Sequence, residues 1–116
     1  MTSELPFLLE MRDALGKQAR FVLDIKQAVR SGEDPFAMLR GLNSHIVHVH
    51  ISDHGEYGDC LPLGKGRFRF DAFLKELAAV SPDCSVILEL YRSGFSDVAE
   101  LAANYTLLRN RIEGKR

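Results

Sequence analysis

The sequence predicts an α/β protein of parallel strands with helices packed outside them. Two observations carry this reading. Stretches with apolar residues at helical spacing alternate with short, β-branched runs of period two, and ionisable residues recur where those runs end. Strands separated by helical stretches point to βα units rather than a meander, because parallel neighbours need a crossover between them. With 116 residues the chain reads as a single domain over 1–116, well short of the roughly 250 residues of a whole eight-stranded α/β barrel.

Residues 4–16 place Leu5, Leu8, Leu9 and Leu15 near one helical face, with Gly16 as the stop signal. Residues 20–25 (RFVLDI) alternate as a strand, Phe21, Leu23 and Ile25 on one side, Val22 and Asp24 on the other. Asp34-Pro35 supplies a cap and a first-turn proline for a short helix that Gly41 closes. HIVHVHIS follows as a strand with Val47, Val49 and Ile51 on one face and Ile46, His48 and His50 on the other. Residues 53–66 (DHGEYGDCLPLGKG) read as a long irregular connection, with a short strand over Arg67 to Arg69 after it. A helix over 70–80 carries Phe70, Phe73, Leu74 and Leu77. SVILELY at 85–91 is a strand with Glu89 and Tyr91 on the Ile87 face. The last helix starts near Asp97, whose pairing with Glu100 is a capping-box pattern, and runs a stripe through Val98, Leu101, Ala102, Tyr105 and Leu108. Internal repeats and low-complexity segments are absent from the sequence.

Composition excludes several function classes. Hydrophobic residues at 46% and charged residues at 27% fit a folded globular domain rather than a disordered segment. Fifteen Lys and Arg against sixteen Asp and Glu give a net charge of −1, so no basic field favours nucleic acid or anionic lipid. Nothing reads as a signal peptide or a membrane span. Cys60 and Cys84 lack zinc-knuckle or redox-pair spacing, and two reduced thiols in a cytoplasmic protein are expected.

The chemistry lies at the strand ends. Asp24, His50 and Glu89 come from three strands, lie near the same edge, and share the face opposite the more apolar, helix-facing residues. In parallel α/β architectures that edge is where sites are built. Two carboxylates and an imidazole suit a divalent cation such as Mn2+, Mg2+ or Zn2+, and spacings of 26 and 39 residues suit ligands from separate βα units. Each residue has a plainer reading: Asp24 as a turn or cap residue, His48 as a satisfied core histidine. Glu89 within VILEL is the most informative, since an unpaired carboxylate among apolar residues costs several kcal/mol.

The strings VLDIKQA, HIVHVHISDH, LPLGKGRF and VILELYR, in this order and spacing, resemble the second half of the xylose isomerase-like TIM barrels, also called AP endonuclease family 2. The resemblance runs from the helix at residue 4 to about residue 112. It implies a partial (β/α)8 barrel of about the last four βα units. It also implies a metal site whose Glu, Asp, His and Glu ligands come from separate strands. Asp24, His50 and Glu89 match the second, third and fourth of these, and the first would lie upstream of Met1.

By the same resemblance, the activity implied is that of a sugar or sugar-phosphate isomerase or epimerase, with proton transfer next to a carbonyl and Glu89 as one of two metal-bound carboxylates that serve as base and acid. His48 would line the pocket of a small sugar substrate, and Lys65 of GKG would approach a polar group or phosphate, or else stay a solvated loop lysine. Asp53 and His54 would either orient His50 or cap the loop. Many relatives place His three residues after the strand-end Asp. Here that place holds Gln27, which can hydrogen-bond a sugar hydroxyl but not transfer a proton. The DNA-repair branch carries an Asp-x-His pair that residues 53–69 lack, which weighs against an endonuclease. A non-catalytic half-barrel is the alternative. Its strand edges and apolar inner face would be open, so a homo-oligomer covering them is expected in either case.

Overall fold

The computed structural model describes residues 5–56, 58–90 and 97–113. Its centre is a three-stranded parallel sheet in the order β1 (Phe21–Asp24), β2 (Ile46–Ile51), β5 (Ser85–Leu88). Helices α1 (Leu5–Leu15), α2 (Ile25–Arg30), α3 (Pro35–Leu42), α4 (Phe70–Val80) and α5 (Val98–Ile112) accompany it. This is the parallel α/β arrangement expected of part of a barrel, and among the described residues the sheet is not closed. The Cα envelope is 45 × 33 × 19 Å, its thin dimension matching one sheet and one helix layer.

Alternation along each strand sorts the side chains. Leu23, Val49 and Ile51 are buried with Ile25, Leu39, Leu42 and Phe73 in the core beneath the helices. On the other face Val22 is 61% and Ile87 50% exposed. Phe36, Phe68 and Phe73 pack with ring centroids 5.5 to 6.0 Å apart and lock α3 and α4 to the chain between them. The expected face is inverted at the start of β2: Ile46 is fully buried in the core and Val47 is exposed. The cause is a register irregularity. Phe21 pairs with Ile46 but Val22 already pairs with His48, so Val47 is the extra residue and the phase slips by one.

Helix ends follow local chemistry. The α1 N-terminus donates from Leu5 N–H to the buried Glu33 carboxylate (3.2 Å), and the helix gives way at Gly16, whose φ of +62° suits glycine. Its expected apolar face is covered only at Leu5, Leu8 and Leu9, while Leu15 is exposed, because α1 meets α3 through its first turns. Gly41 is the meeting point: a Cβ there would lie 3.2 Å from Leu9 and 3.4 Å from Leu5. Gly41 therefore admits α1 and does not close α3, which ends at Asn43 in a positive-φ conformation. Asp34 caps α3 at the Phe36 N–H (3.0 Å) with Pro35 in the first turn, as expected.

Three stretches depart further from expectation. The strand at 20–25 stops at Asp24, and the chain turns at once into α2, which the strand pattern hid. Residues 53–66 are not irregular throughout: β3 (Asp53–Gly55) and β4 (Gly58–Leu61) form an antiparallel hairpin, whereas 67–69 form no strand. The sheet thus has three parallel strands, not four, among the described residues. Asp53 explains the difference. Fully buried, its carboxylate accepts the N–H groups of His54, Gly64 and Phe68, each at 2.8 Å, and Arg67 N–H donates to His54 carbonyl at 2.7 Å. These bonds draw 64–68 into a turn over the hairpin and leave no free backbone for a strand.

The last helix is capped by Asp97 at Glu100 N–H (2.9 Å), yet its buried stripe is not the expected one. Val98, at 77% exposed, and Tyr105, at 56%, face outward, while Leu108 is buried. Asn104 decides this, since its amide accepts from Leu63 N–H (3.0 Å) and donates to Leu63 carbonyl (2.9 Å), turning that face inward. Tyr91 lies outside the described residues.

A Cβ on Gly66 would collide with His54 carbonyl and sit 2.6 Å from Asp53 Oδ1, whereas one on Gly58 meets only Leu61 at 3.6 Å. In urea unfolding, Gly66→Ala is therefore expected to lose about 2 kcal/mol or more, and Gly58→Ala under about 1 kcal/mol. Equal losses would refute the close-packed turn.

Candidate metal centre

Sheet register assembles the site. Val22, His48 and Ser85 form one row across the open face, and Asp24, His50 and Ile87 the next. Glu89 lies just past β5, its N–H donating to Ile51 carbonyl at 2.9 Å, which continues the ladder. It is thus one pleat beyond Asp24 and His50 rather than level with them, and it reaches back to the same point. One ligand atom from each of Asp24, His50 and Glu89 can be chosen so that all three lie within 4.8 Å of one another. His50 Nδ1 is 3.8 Å from Asp24 Oδ2 and 3.6 Å from Glu89 Oε2.

Those separations are too long for hydrogen bonds. They lie at or just beyond the spacing of two donors on a shared cation, which for ligand distances of about 2.1 Å is roughly 3.0–3.7 Å. Glu89 Oε1 is buried without a hydrogen bond among the described residues, although a lysine stands 3.6 Å away. A carboxylate left this way, beside a second carboxylate and an imidazole, forms a donor set that fits a divalent cation.

Each donor is held from behind. Asp24 has two tasks: Oδ1 caps α2 by accepting Gln27 N–H at 3.0 Å, while Oδ2 faces His50. The cap reading of this residue is met by Oδ1, and Oδ2 is left directed at the cluster. The His50 ring stands edge-on to His48 with centroids 4.8 Å apart, and His48 Nδ1 pairs with Ser85 Oγ at 2.6 Å. His48 is thus no core histidine; it buttresses His50 on the open face.

Gln27 and Lys65 are placed less centrally. The Gln27 backbone joins the Asp24 cap while its side chain points to solvent. Lys65 is exposed in the turn after β4, its N–H on Pro62 carbonyl at 3.0 Å. Asp53 caps its loop. His54 packs against Phe68 with centroids 5.2 Å apart, its buried Nδ1 without a partner among the described residues. Of the two roles expected of that pair, loop capping is the one that Asp53's bonds fulfil.

Two contributors were not visible in the sequence. Lys26, on the first turn of α2, brings Nζ to 3.6 Å from Glu89 Oε1. A strand running through Ile25 has no helix turn to aim it, and α2 supplies one. Cys60, buried and at φ 54°, donates its thiol to Glu89 carbonyl at 3.3 Å and so helps fix the residue. Nothing in a lone cysteine signals that. Both cysteines are free thiols, and burial pushes the Cys84 thiol up from its ordinary range.

Parallel βα units that gather ionisable residues at the C-terminal ends of their strands, on the face away from the helices, define the class: part of a (β/α)8 barrel with a strand-end site. A family model described as the xylose isomerase-like TIM barrel matches residues 3–111, and the chain belongs to that family. No curated protein matches it. Among the described residues no helix is long and apolar enough to cross a membrane.

The dual role of Asp24 is separable. Asp24→Ser keeps a capping oxygen and is expected to unfold within about 0.5 kcal/mol of the parent, while Asp24→Ala loses about 1 kcal/mol. Both variants are expected to bind a divalent cation more weakly than the parent. Thermal and urea melts read the first effect and metal titration the second; equal stability of the two variants would remove the cap.

Proposed function

We propose that this chain carries the metal-binding part of a sugar or sugar-phosphate isomerase or epimerase, acting by proton transfer next to a carbonyl. The observation that supports this most strongly is the convergence of Asp24, His50 and Glu89 from three parallel segments onto one point of the open face. Family membership supports the same lineage. A divalent cation there, Mn2+, Mg2+ or Zn2+, supplies the positive charge that acidifies a C–H bond beside a chelated carbonyl.

The side chains divide the remaining work. Asp24 and His50 fix the centre, each held by a second contact. Glu89 directs one oxygen at that centre and is the group able to take up and return a substrate proton. His48 and Gln27 offer polar contacts for sugar hydroxyls, and Lys65 a cation for a phosphate. The described residues supply a single glutamate at the centre, so a base and acid pair of glutamates needs a second one from outside them. On this reading the isolated chain binds metal and turns substrate over poorly or not at all. Two free thiols, one of them buried, suit a reducing compartment, and we place the protein in the cytoplasm.

A second reading rests on the same face. Val22 and Ile87 flank the site as exposed apolar side chains, and β1 and β5 are open edges of the sheet among the described residues. A non-catalytic half-barrel that self-associates would cover them, and self-association serves the metal-binding reading as well.

Titration of the metal-free protein with Mn2+ or Zn2+ is expected to give one equivalent per chain, lost in Glu89→Gln. Failure to bind at millimolar metal would remove the site. Size-exclusion light scattering is expected to show a dimer or larger species that Val22→Lys dissociates; a sharp monomer peak at every concentration would count against self-association.

A further inference from the structure

Lys26 is the charged side chain at the site that neither the donor set nor the family resemblance calls for. Its Nζ is 3.6 Å from Glu89 Oε1, the oxygen of that carboxylate turned away from His50, and its side chain is only 15% exposed. Glu89 thus stands between two directions, with Oε2 toward the donor cluster and Oε1 toward an ammonium. The backbone explains the placement. Asp24 ends β1 and caps α2, which fixes the first helical turn against the sheet, buries Ile25 beneath it and leaves Lys26 directed at Glu89 while Gln27 faces solvent. The ionisable side chain of this turn that reaches the site is therefore at position 26 and not at position 27.

We propose that Lys26 is a positioning residue that tethers Glu89 and sets the cation affinity of the centre by its charge. The proposal rests on the metal-binding reading above. With His50 neutral, Asp24 and Glu89 carry two negative charges and Lys26 one positive charge, so the centre presents a net −1 to an incoming cation. A bound divalent ion then shares the Glu89 carboxylate with the ammonium, and two like charges on the two sides of one carboxylate repel in a partly desolvated setting. Lys26 holds Glu89 in place while the centre is empty and weakens the ion that arrives. A centre that holds its cation loosely takes it up and releases it with the surroundings instead of keeping it permanently.

The variant that separates charge from shape is Lys26→Met, which keeps the long apolar stem and removes the ammonium; Lys26→Arg keeps the charge. Mn2+ titration of the metal-free full chain, with circular dichroism and a thermal melt to confirm folding, reads the affinity directly. Lys26→Met is expected to bind Mn2+ at least about tenfold more tightly than the parent, with Lys26→Arg within about threefold of it. A Lys26→Met variant that folds and binds Mn2+ as well as, or more weakly than, a metal-binding parent would overturn the proposal and leave the metal centre standing. If neither parent nor Lys26→Met binds, the metal reading falls and the proposal with it.

Discussion

The parallel register of β1, β2 and β5 is the constraint on which the rest depends. It sets Asp24 opposite His50 and, through the bond from Glu89 N–H to Ile51 carbonyl, carries the third donor one pleat past them. Because side chains alternate with a period of two, a slip of one residue in any strand would send a donor into the helix layer and an aliphatic side chain to the site. Burial of Leu23, Val49 and Ile51 beneath the helices is what fixes the register, at roughly 1.5–3 kcal/mol for each side chain removed from water. The core thereby positions the chemistry without touching it.

Around that sheet, polar side chains take on backbone duties that secondary structure leaves unmet. Asp53 gathers three N–H groups of the loop after β2, Asn104 satisfies both backbone groups of Leu63, and Glu33 closes the start of α1. Apart from the bond between the neighbours Asp53 and His54, these join a side chain to backbone distant in the sequence, and they order connections at little cost in apolar surface. The outer layer is tied more loosely, by Arg40 to Glu76 and Arg111 to Asp71 between helices. The Arg40 guanidinium, hydrogen-bonded to Glu76, is held still more firmly protonated than usual, but an exposed pair of this kind adds little stability.

How much of this the sequence disclosed follows from the physics of each signal. Period-two alternation in RFVLD and SVIL, helical spacing at 70–80, and the caps at Asp34 and Asp97 are local and strong, and they disclose the parallel α/β architecture and the nearness of Asp24, His50 and Glu89 at one edge. What stayed hidden depended on distant partners. The hairpin at 53–61 needs Asp53 to meet residues up to fifteen positions later. The inward face of α5 is chosen by Asn104, a polar residue that an apolar stripe cannot predict. The inversion of Ile46 and Val47 arises from a register irregularity that one strand alone cannot reveal. At the site, Asp24 read as a cap and Asp24 read as a ligand looked like competing explanations, yet its two oxygens allow both. Lys26 is hidden from the sequence because α2 begins at Ile25, where the strand pattern still runs.

On the proposed reading, Asp24, His50 and Glu89 form one cation centre with a single imidazole in it. Pulsed electron paramagnetic resonance of the Mn2+-loaded protein tests this most directly, since a coordinated imidazole nitrogen couples to the electron spin and carboxylate oxygens do not. Coupling to one such nitrogen is expected, lost in His50→Ala while the fold persists. Mn2+ without nitrogen coupling, or coupling that survives in His50→Ala, would contradict it.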